Sequence, residues 1–246
     1  MEIVRIVESH LIEKTLLFIG SSFFSGERLQ KFIQNESAVI STKSQIDLPS
    51  LSAGSNRITE LWAILENDRL LGGMTLNYYL WEKLSKQLYF APHENKESKV
   101  ETIAVKPFSE LVSQNFNAIP QIAVELGYYA VSENARGQGV GRKLFETFIQ
   151  QVYLTPVETK LLFTIVLGKY SKTPLGDTLM KHLLRQGVEA AEKQVNLQST
   201  LNELGHPTDI FEADSGAVPT ARLAKNNGFL ALGYGRYLGQ LWGKVA

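Results

Sequence analysis

A chain of 246 residues that is 44% hydrophobic and 20% charged has the balance of one that buries a substantial core, and its length suits a single domain carrying insertions. Lysine plus arginine and aspartate plus glutamate both number 25, so the formal charge is zero and gives no pull toward nucleic acid or an acidic membrane surface. The absence of cysteine excludes disulfides, thiolate metal sites and a cysteine nucleophile, and fits a reducing cytoplasm.

Met1 to Val7 alternates as a short first strand. Ser9 then caps a helix whose apolar residues Leu11, Ile12, Leu16 and Ile19 recur at helical spacing, until Gly20-Ser21-Ser22 ends it. The apolar stretch Leu11 to Phe24 is interrupted by Glu13 and Lys14, lacks a small-residue cleavage site, and is shorter than the roughly 20 residues a bilayer span takes. It reads as a buried helix, with no membrane role. A second helix is expected from Gly26 to Ile33, and the polar run Gln34 to Asn56 reads as a loop.

Leu61 to Leu65 and Leu70 to Tyr79 are the strands of a hairpin, turned by Glu66-Asn67-Asp68-Arg69. Trp81 to Pro120 is too long for an ordinary connection and is expected to be an insertion with structure of its own. Ile122 to Val131 reads as a strand, Ser132 to Gln138 as a loop, and Gly139 to about Tyr153 as a helix. Val140, Leu144, Phe145, Phe148 and Val152 make one apolar stripe on that helix, spaced to cover a sheet. Lys160 to Leu167 is a further strand, so strand, helix and strand form a βαβ unit with an expected parallel pairing.

Thr173-Pro174 opens a second insertion with the cap and first-turn proline of a helix, and helical spacing continues from Leu175 to Leu204. Its charges fit either a solvated face or a lid or homodimer contact. Ile210 to Ala213, a helix from Val218 to Asn226, a stop at Asn227-Gly228 and a closing strand pair from Phe229 to Val245 complete the chain.

The chemistry concentrates in Arg136-Gly137-Gln138-Gly139-Val140-Gly141-Arg142, where a strand gives way to a helix across a glycine-dense turn. Glycine lets backbone approach a ligand closely, and the first helical N–H groups lack intrahelical partners at the positive end of the dipole. A phosphate fills such a vacancy, with Arg136 or Arg142 adding charge-assisted bonds. The glycines alone fit equally a turn that binds nothing. A dinucleotide fingerprint begun at Gly137 would need its final glycine where Arg142 stands, and a Walker loop would need Lys and then Ser or Thr after Gly141.

These residues resemble the pyrophosphate motif of the GNAT superfamily of acyl-CoA-dependent N-acyltransferases, [R/Q]-x-x-G-x-[G/A], met by Arg136, Gly139 and Gly141. Thr220 to Phe229 is similar to that family's later helix, which ends in Gly-Phe, and the hairpin bearing Leu70-Leu71-Gly72-Gly73 is similar to its second and third strands. The resemblance covers about two thirds of the chain and leaves out the insertions at about 81–120 and 168–209. It implies an α/β (α+β) fold in a single domain, 1–246, with a mixed, mostly antiparallel sheet, flanking helices and a βαβ coenzyme unit.

The resemblance also implies a reaction, transfer of an acyl group from acetyl-CoA or another acyl-CoA to a primary amine of a small molecule or protein. Backbone groups of Tyr129, Ala130 and Val131 would meet the pantetheine arm, and Arg136, Gly137, Gln138, Gly139, Val140, Gly141 and Arg142 the pyrophosphate. The Val131 N–H would polarise the thioester carbonyl. The resemblance further implies direct attack by the amine, and with no cysteine a thioester-enzyme intermediate is excluded.

A lysine-like amine with a pKa of about 10.4 is overwhelmingly charged at neutral pH, so a general base is useful. Glu125 stands where some GNAT members keep one; flanking Val124 and Leu126 favour burial, and a carboxylate in a structural ion pair or facing solvent is the alternative. Many relatives carry a tyrosine four residues before Gly-Phe as general acid, and here that place holds Ala224. Tyr170, Tyr234 and Tyr237 are the substitutes to test. A non-catalytic acyl-CoA-binding domain is therefore the alternative function.

His10, His93, His182 and His206 have no metal-ligand spacing, and no metal is expected. Ser50 to Gly54 lacks the first glycine of a hydrolase elbow. Tyr78, Tyr79 and Trp81 read as core or as acceptor-pocket lining, and Phe23 and Phe24 as turn residues or acceptor-site walls.

Overall fold

The computed structural model describes residues 1–43, 51, 56–92, 106–168, 213–235 and 239–246. The expected helix from Thr173 to Leu204, with its lid or dimer role, and Tyr170, Tyr237, His93, His182 and His206 lie outside these residues. The fold is mixed α/β, and its strand pairings are mostly antiparallel. Contacts divide the chain into two compact units, one of Met1–Leu80, Gln121–Leu162 and Ala246, the other of Trp81–Pro120 and Phe163–Val245.

In the first unit β1 (Glu2–Arg5), β2 (Ile58–Glu66), β3 (Arg69–Leu80) and β6 (Ile122–Val131) pair in that order, all antiparallel. The β2–β3 turn is the expected one. Asn67 and Asp68 sit at φ 49° and 60°, the paired left-handed geometry that matches strand twist in two-residue hairpins. Helices α1 (Ser9–Ser21) and α2 (Gly26–Ser37) cover one face, where Ile6, Ile12, Leu16, Ile19, Phe32, Leu61, Ala63 and Ala130 form a core.

The opposite face carries α5 (Val140–Leu154), whose stripe of Val140, Leu144, Phe145, Phe148 and Val152 is fully buried as the spacing predicts. Two adjacent glycines let both layers close on β3. A Cβ on Gly72 would stand 2.9 Å from Val140 Cγ1, and one on Gly73 would stand 3.0 Å from Ile19 Cδ1.

Two boundaries differ from expectation. Helix α2 runs four residues beyond Ile33, to Ser37, and β2 begins at Ile58 before Leu61. Polar residues hid both extensions. Glu36 on the last turn of α2 is buried because Arg57 reaches it at 2.6 Å, while Thr59 and Glu60 are buried within the ladder.

In the second unit, the expected insertion contains α3 (Trp81–Gln87), β4 (Tyr89–Pro92), β5 (Lys106–Pro107) and α4 (Phe108–Asn115). Strand β4 pairs with β8 (Leu230–Gly235), which pairs with β9 (Gly239–Val245), so this stretch supplies part of its unit's sheet. The ring of Phe108 is its apolar hub, meeting Trp81, Phe90 and Phe163 edge-on at centroid distances of 5.2, 5.1 and 5.4 Å. The residue Phe163 belongs to β7 (Lys160–Val166). Helix α6 (Val218–Asn226) stops where expected, with Gly228 at φ +77°.

Candidate functional site

The glycine-rich loop is built as a rim around a helix N-terminus. The Ser132 N–H bonds the Leu71 carbonyl at 2.8 Å, carrying the β3–β6 ladder one residue past Val131. A single 3-10 turn, Glu133–Ala135, then buries Ala135 and leaves Arg136, Gly137, Gln138 and Gly139 exposed. Gly137 and Gly139 take φ of +79° and +80°, a region other residues rarely adopt, and nothing lies within 4 Å of a Cβ built on either. The bond from Lys143 N–H to the Gly139 carbonyl, 2.9 Å, opens α5, so the amides of Val140, Gly141 and Arg142 precede the helical ladder. Open space beside the first amides at the positive end of a helix accepts an anion with several oxygens.

Side-chain charge stands at both ends of this rim. Arg136 lies 3.8 Å from Glu133, and Arg142 Nε donates to Glu146 at 2.7 Å, both pairs on the surface. Tyr129, Ala130 and Val131 lie opposite Met74, Gly73 and Gly72. The Tyr129 side chain points to the α5 face, its hydroxyl 2.6 Å from where a Cβ on Gly141 would stand, and burial pushes its phenol up. Gly141 is thus a clearance for Tyr129 as well as part of the loop.

Glu125 occupies the other face of the same strand, in a row of polar side chains. Thr59, Asn77 and Glu125 lie directly across from one another on β2, β3 and β6 and so share a face. Asn77 Nδ2 donates to Glu125 Oε2 at 3.0 Å, Tyr79 Oη donates to the same oxygen at 2.9 Å, and Thr59 Oγ1 donates to Asn77 Oδ1 at 2.9 Å. The Arg57 guanidinium pairs with Glu36 at 2.6 Å, and its charge acts on the Tyr79 phenol. Burial first, then the nearby Glu125 charge, holds the Tyr79 phenol well above its ordinary range, so it is a neutral O–H donor.

A β-bulge makes room for this row. Met74 pairs with Tyr129 and Leu76 with Leu126, so Thr75 faces both Gly127 and Tyr128, and the Tyr128 N–H bonds the Thr75 hydroxyl at 2.9 Å. The ring of Tyr128 then packs among Phe23, Phe24 and Phe32, with centroids at 5.6, 5.9 and 4.7 Å. Phe23 and Phe24 therefore join the α1–α2 side of the sheet that bears Glu125.

The two tyrosines of β3 part company. Tyr78 faces the opposite side, donating to Glu60 Oε2 at 3.0 Å beside Arg5 and Trp62. Trp81 packs on Phe108 in the second unit. Ala224 is fully buried, its carbonyl bonded by the Phe229 N–H at 3.1 Å. His10 is exposed beside Glu8, and among the described residues no three His, Cys, Asp or Glu side chains converge. No helix of the described residues is long and apolar enough to cross a membrane.

Residues 47–163 match the family model of the acetyltransferase (GNAT) family. A GNAT-family domain model thus spans just under half of the chain. The GNAT match takes in β2, β3, β6, the glycine loop and α5, and ends before α6. Among solved structures, a GNAT-family acetyltransferase from Desulfovibrio desulfuricans is similar, with 12% identity, TM-score 0.44, and 100% of this chain and 97% of that one covered. Arabidopsis thaliana NAA60 with a bisubstrate analogue gives 14% identity, TM-score 0.45 and coverage of 100% and 99%. Subunit AI of the arginine/ornithine succinyltransferase of Pseudomonas aeruginosa gives 9%, 0.48, and 98% and 76%. No curated protein matches the chain.

Within residues 47–163, sequence reasoning singles out the loop and Glu125 and misses the neighbouring Arg57, Thr59 and Asn77. The signal for them is present in β3, where Thr75, Asn77 and Tyr79 recur at period two inside an apolar strand, marking one polar file on a buried face.

Proposed function

We propose that the protein transfers an acyl group, acetyl by default, from acyl-CoA to a primary amine by direct attack. The observation that carries this reading is the loop at the start of α5, where Gly137 and Gly139 at positive φ leave open space beside the first amides of the helix. That surface fits a diphosphate, which the coenzyme supplies together with an activated thioester. Arg136, Gly137, Gln138, Gly139, Val140, Gly141 and Arg142 would hold it, with backbone groups of Tyr129, Ala130 and Val131 guiding the arm beyond.

Glu125 takes the proton that the acceptor ammonium must lose before it can attack. General base catalysis of this kind contributes typically about 10²–10⁴-fold. Thiol release from acetyl-CoA over a panel of primary amines tests the reading. Turnover with at least one amine, falling at least tenfold in Glu125→Gln, supports it, and unchanged turnover in that variant removes Glu125 from its role.

A second reading is a non-catalytic acyl-CoA-binding domain, favoured by Ala224, a buried alanine where relatives carry the acid tyrosine. Coenzyme binding without thiol release over the panel would select it.

A further inference from the structure

The hydrogen bonds around Glu125 have a fixed polarity. A carboxylate only accepts, so the single O–H of Tyr79 points at Glu125 Oε2. On the other side, the Thr59 hydroxyl donates to Asn77 Oδ1, which turns the Asn77 Nδ2 hydrogens toward the same Oε2. Both donors meet one oxygen of the carboxylate and neither meets Oε1.

We infer that Tyr79 and Asn77 are positioning residues that commit Oε2 of Glu125 to accepting hydrogen bonds and leave Oε1 as the oxygen that takes the acceptor's proton. This rests on the reading of Glu125 as proton acceptor. In the step itself, one N–H bond of the ammonium breaks and an O–H bond forms at Oε1. The lone pair stays on nitrogen and the carboxylate becomes a neutral acid, so no further reactant is needed. A proton on Oε2 would face two donor hydrogens, so the network disfavours it there. The same donors hold the carboxylate in one rotamer, which places Oε1 before any substrate arrives.

The test combines a resonance in the substrate-free protein with a double-mutant cycle. In full-length protein carrying ¹³C-labelled glutamate, the side-chain carboxyl signal of Glu125 is identified by its loss in Glu125→Gln. Tyr79→Phe, which keeps the ring and removes the donor, is expected to move that signal while the other glutamate signals away from Arg57 stay in place. Asn77→Ala is expected to move it as well. In the thiol-release assay with acetyl-CoA and the amine panel, Tyr79→Phe lowers kcat about tenfold with KM for acetyl-CoA unchanged, and costs nothing more in the Glu125→Gln background. A Glu125 signal unmoved by both variants overturns the clamp, as do losses that multiply in the double variant. A moved signal with full turnover in Glu125→Gln overturns only the proton-acceptor reading and leaves the clamp standing.

Discussion

Gly127 and Asn77 approach so closely that a methyl group on the glycine would stand 2.6 Å from the Asn77 amide nitrogen, and 2.7 Å from the Thr75 hydroxyl on its other flank. The bulge at Gly127–Tyr128 therefore does two things. It lets the Tyr128 N–H find a partner in a side chain, and it keeps Asn77 free to reach Glu125. Gly127→Ala should force the Asn77 amide aside, since both neighbours are held by their own hydrogen bonds. We expect a loss of about 2 kcal/mol, lowering Tm by about 4–8 °C, together with reduced turnover. Thermal melts and the thiol-release assay check both.

Gly141 is in a comparable position against Tyr129. Alanine in a helix is favoured over glycine by about 1 kcal/mol, yet its Cβ here would stand 2.6 Å from the Tyr129 hydroxyl. Gly141→Ala alone should destabilise by about 1 kcal/mol. Adding Tyr129→Phe removes the colliding oxygen and should bring the double variant back to wild-type stability or above. Denaturant melts of the three variants measure the non-additivity.

Arg57 and Glu36 form a pair in which the carboxylate is buried and one of its oxygens, Oε2, has no hydrogen-bond partner. Removing the guanidinium leaves that charge inside without its counter-ion. Arg57→Ala is expected to cost about 3 kcal/mol, and Arg57→Ala with Glu36→Leu less than Arg57→Ala alone. Chemical denaturation decides between coupling and simple addition.

Alkaline stability follows from the phenols. Burial, and then Glu60 and Glu125 respectively, raise Tyr78 and Tyr79 well above the ordinary value, and burial raises Tyr129. Below about pH 10 folded and unfolded chains both keep these protons; above it the unfolded phenols ionise while the folded ones stay neutral. Stability is therefore full below about pH 10 and falls as pH rises beyond it, by up to about 1.4 kcal/mol per pH unit for each phenol. Tyr79→Phe should shrink that slope by one proton's share, read from urea melts at pH 9.5 to 11.

Local signals made part of this structure legible from sequence. The α5 stripe from Val140 to Val152, the Asn67-Asp68 turn and the Asn227-Gly228 stop each depend on residues within a few positions of one another, and each stands where spacing and turn chemistry put it. The polar row does not work that way. Glu36 reads as part of a loop because nothing near it explains its burial; its partner is 21 residues on. Asn77 and Glu125 are 48 apart, and the bulge that lets them meet requires the Thr75 hydroxyl from a neighbouring strand. Ala224 is legible as a departure from the family pattern, but its burial follows from packing that no motif encodes.

The most direct measurement is a calorimetric titration of acetyl-CoA into the wild-type protein and into Gly139→Val, which puts a branched side chain at φ +80° in the middle of the open loop. Saturable one-to-one binding to wild type, weakened at least tenfold in a variant that still melts cooperatively, is the predicted result. No binding to wild type, or equal affinity in both proteins, would contradict the assignment of this loop to the coenzyme.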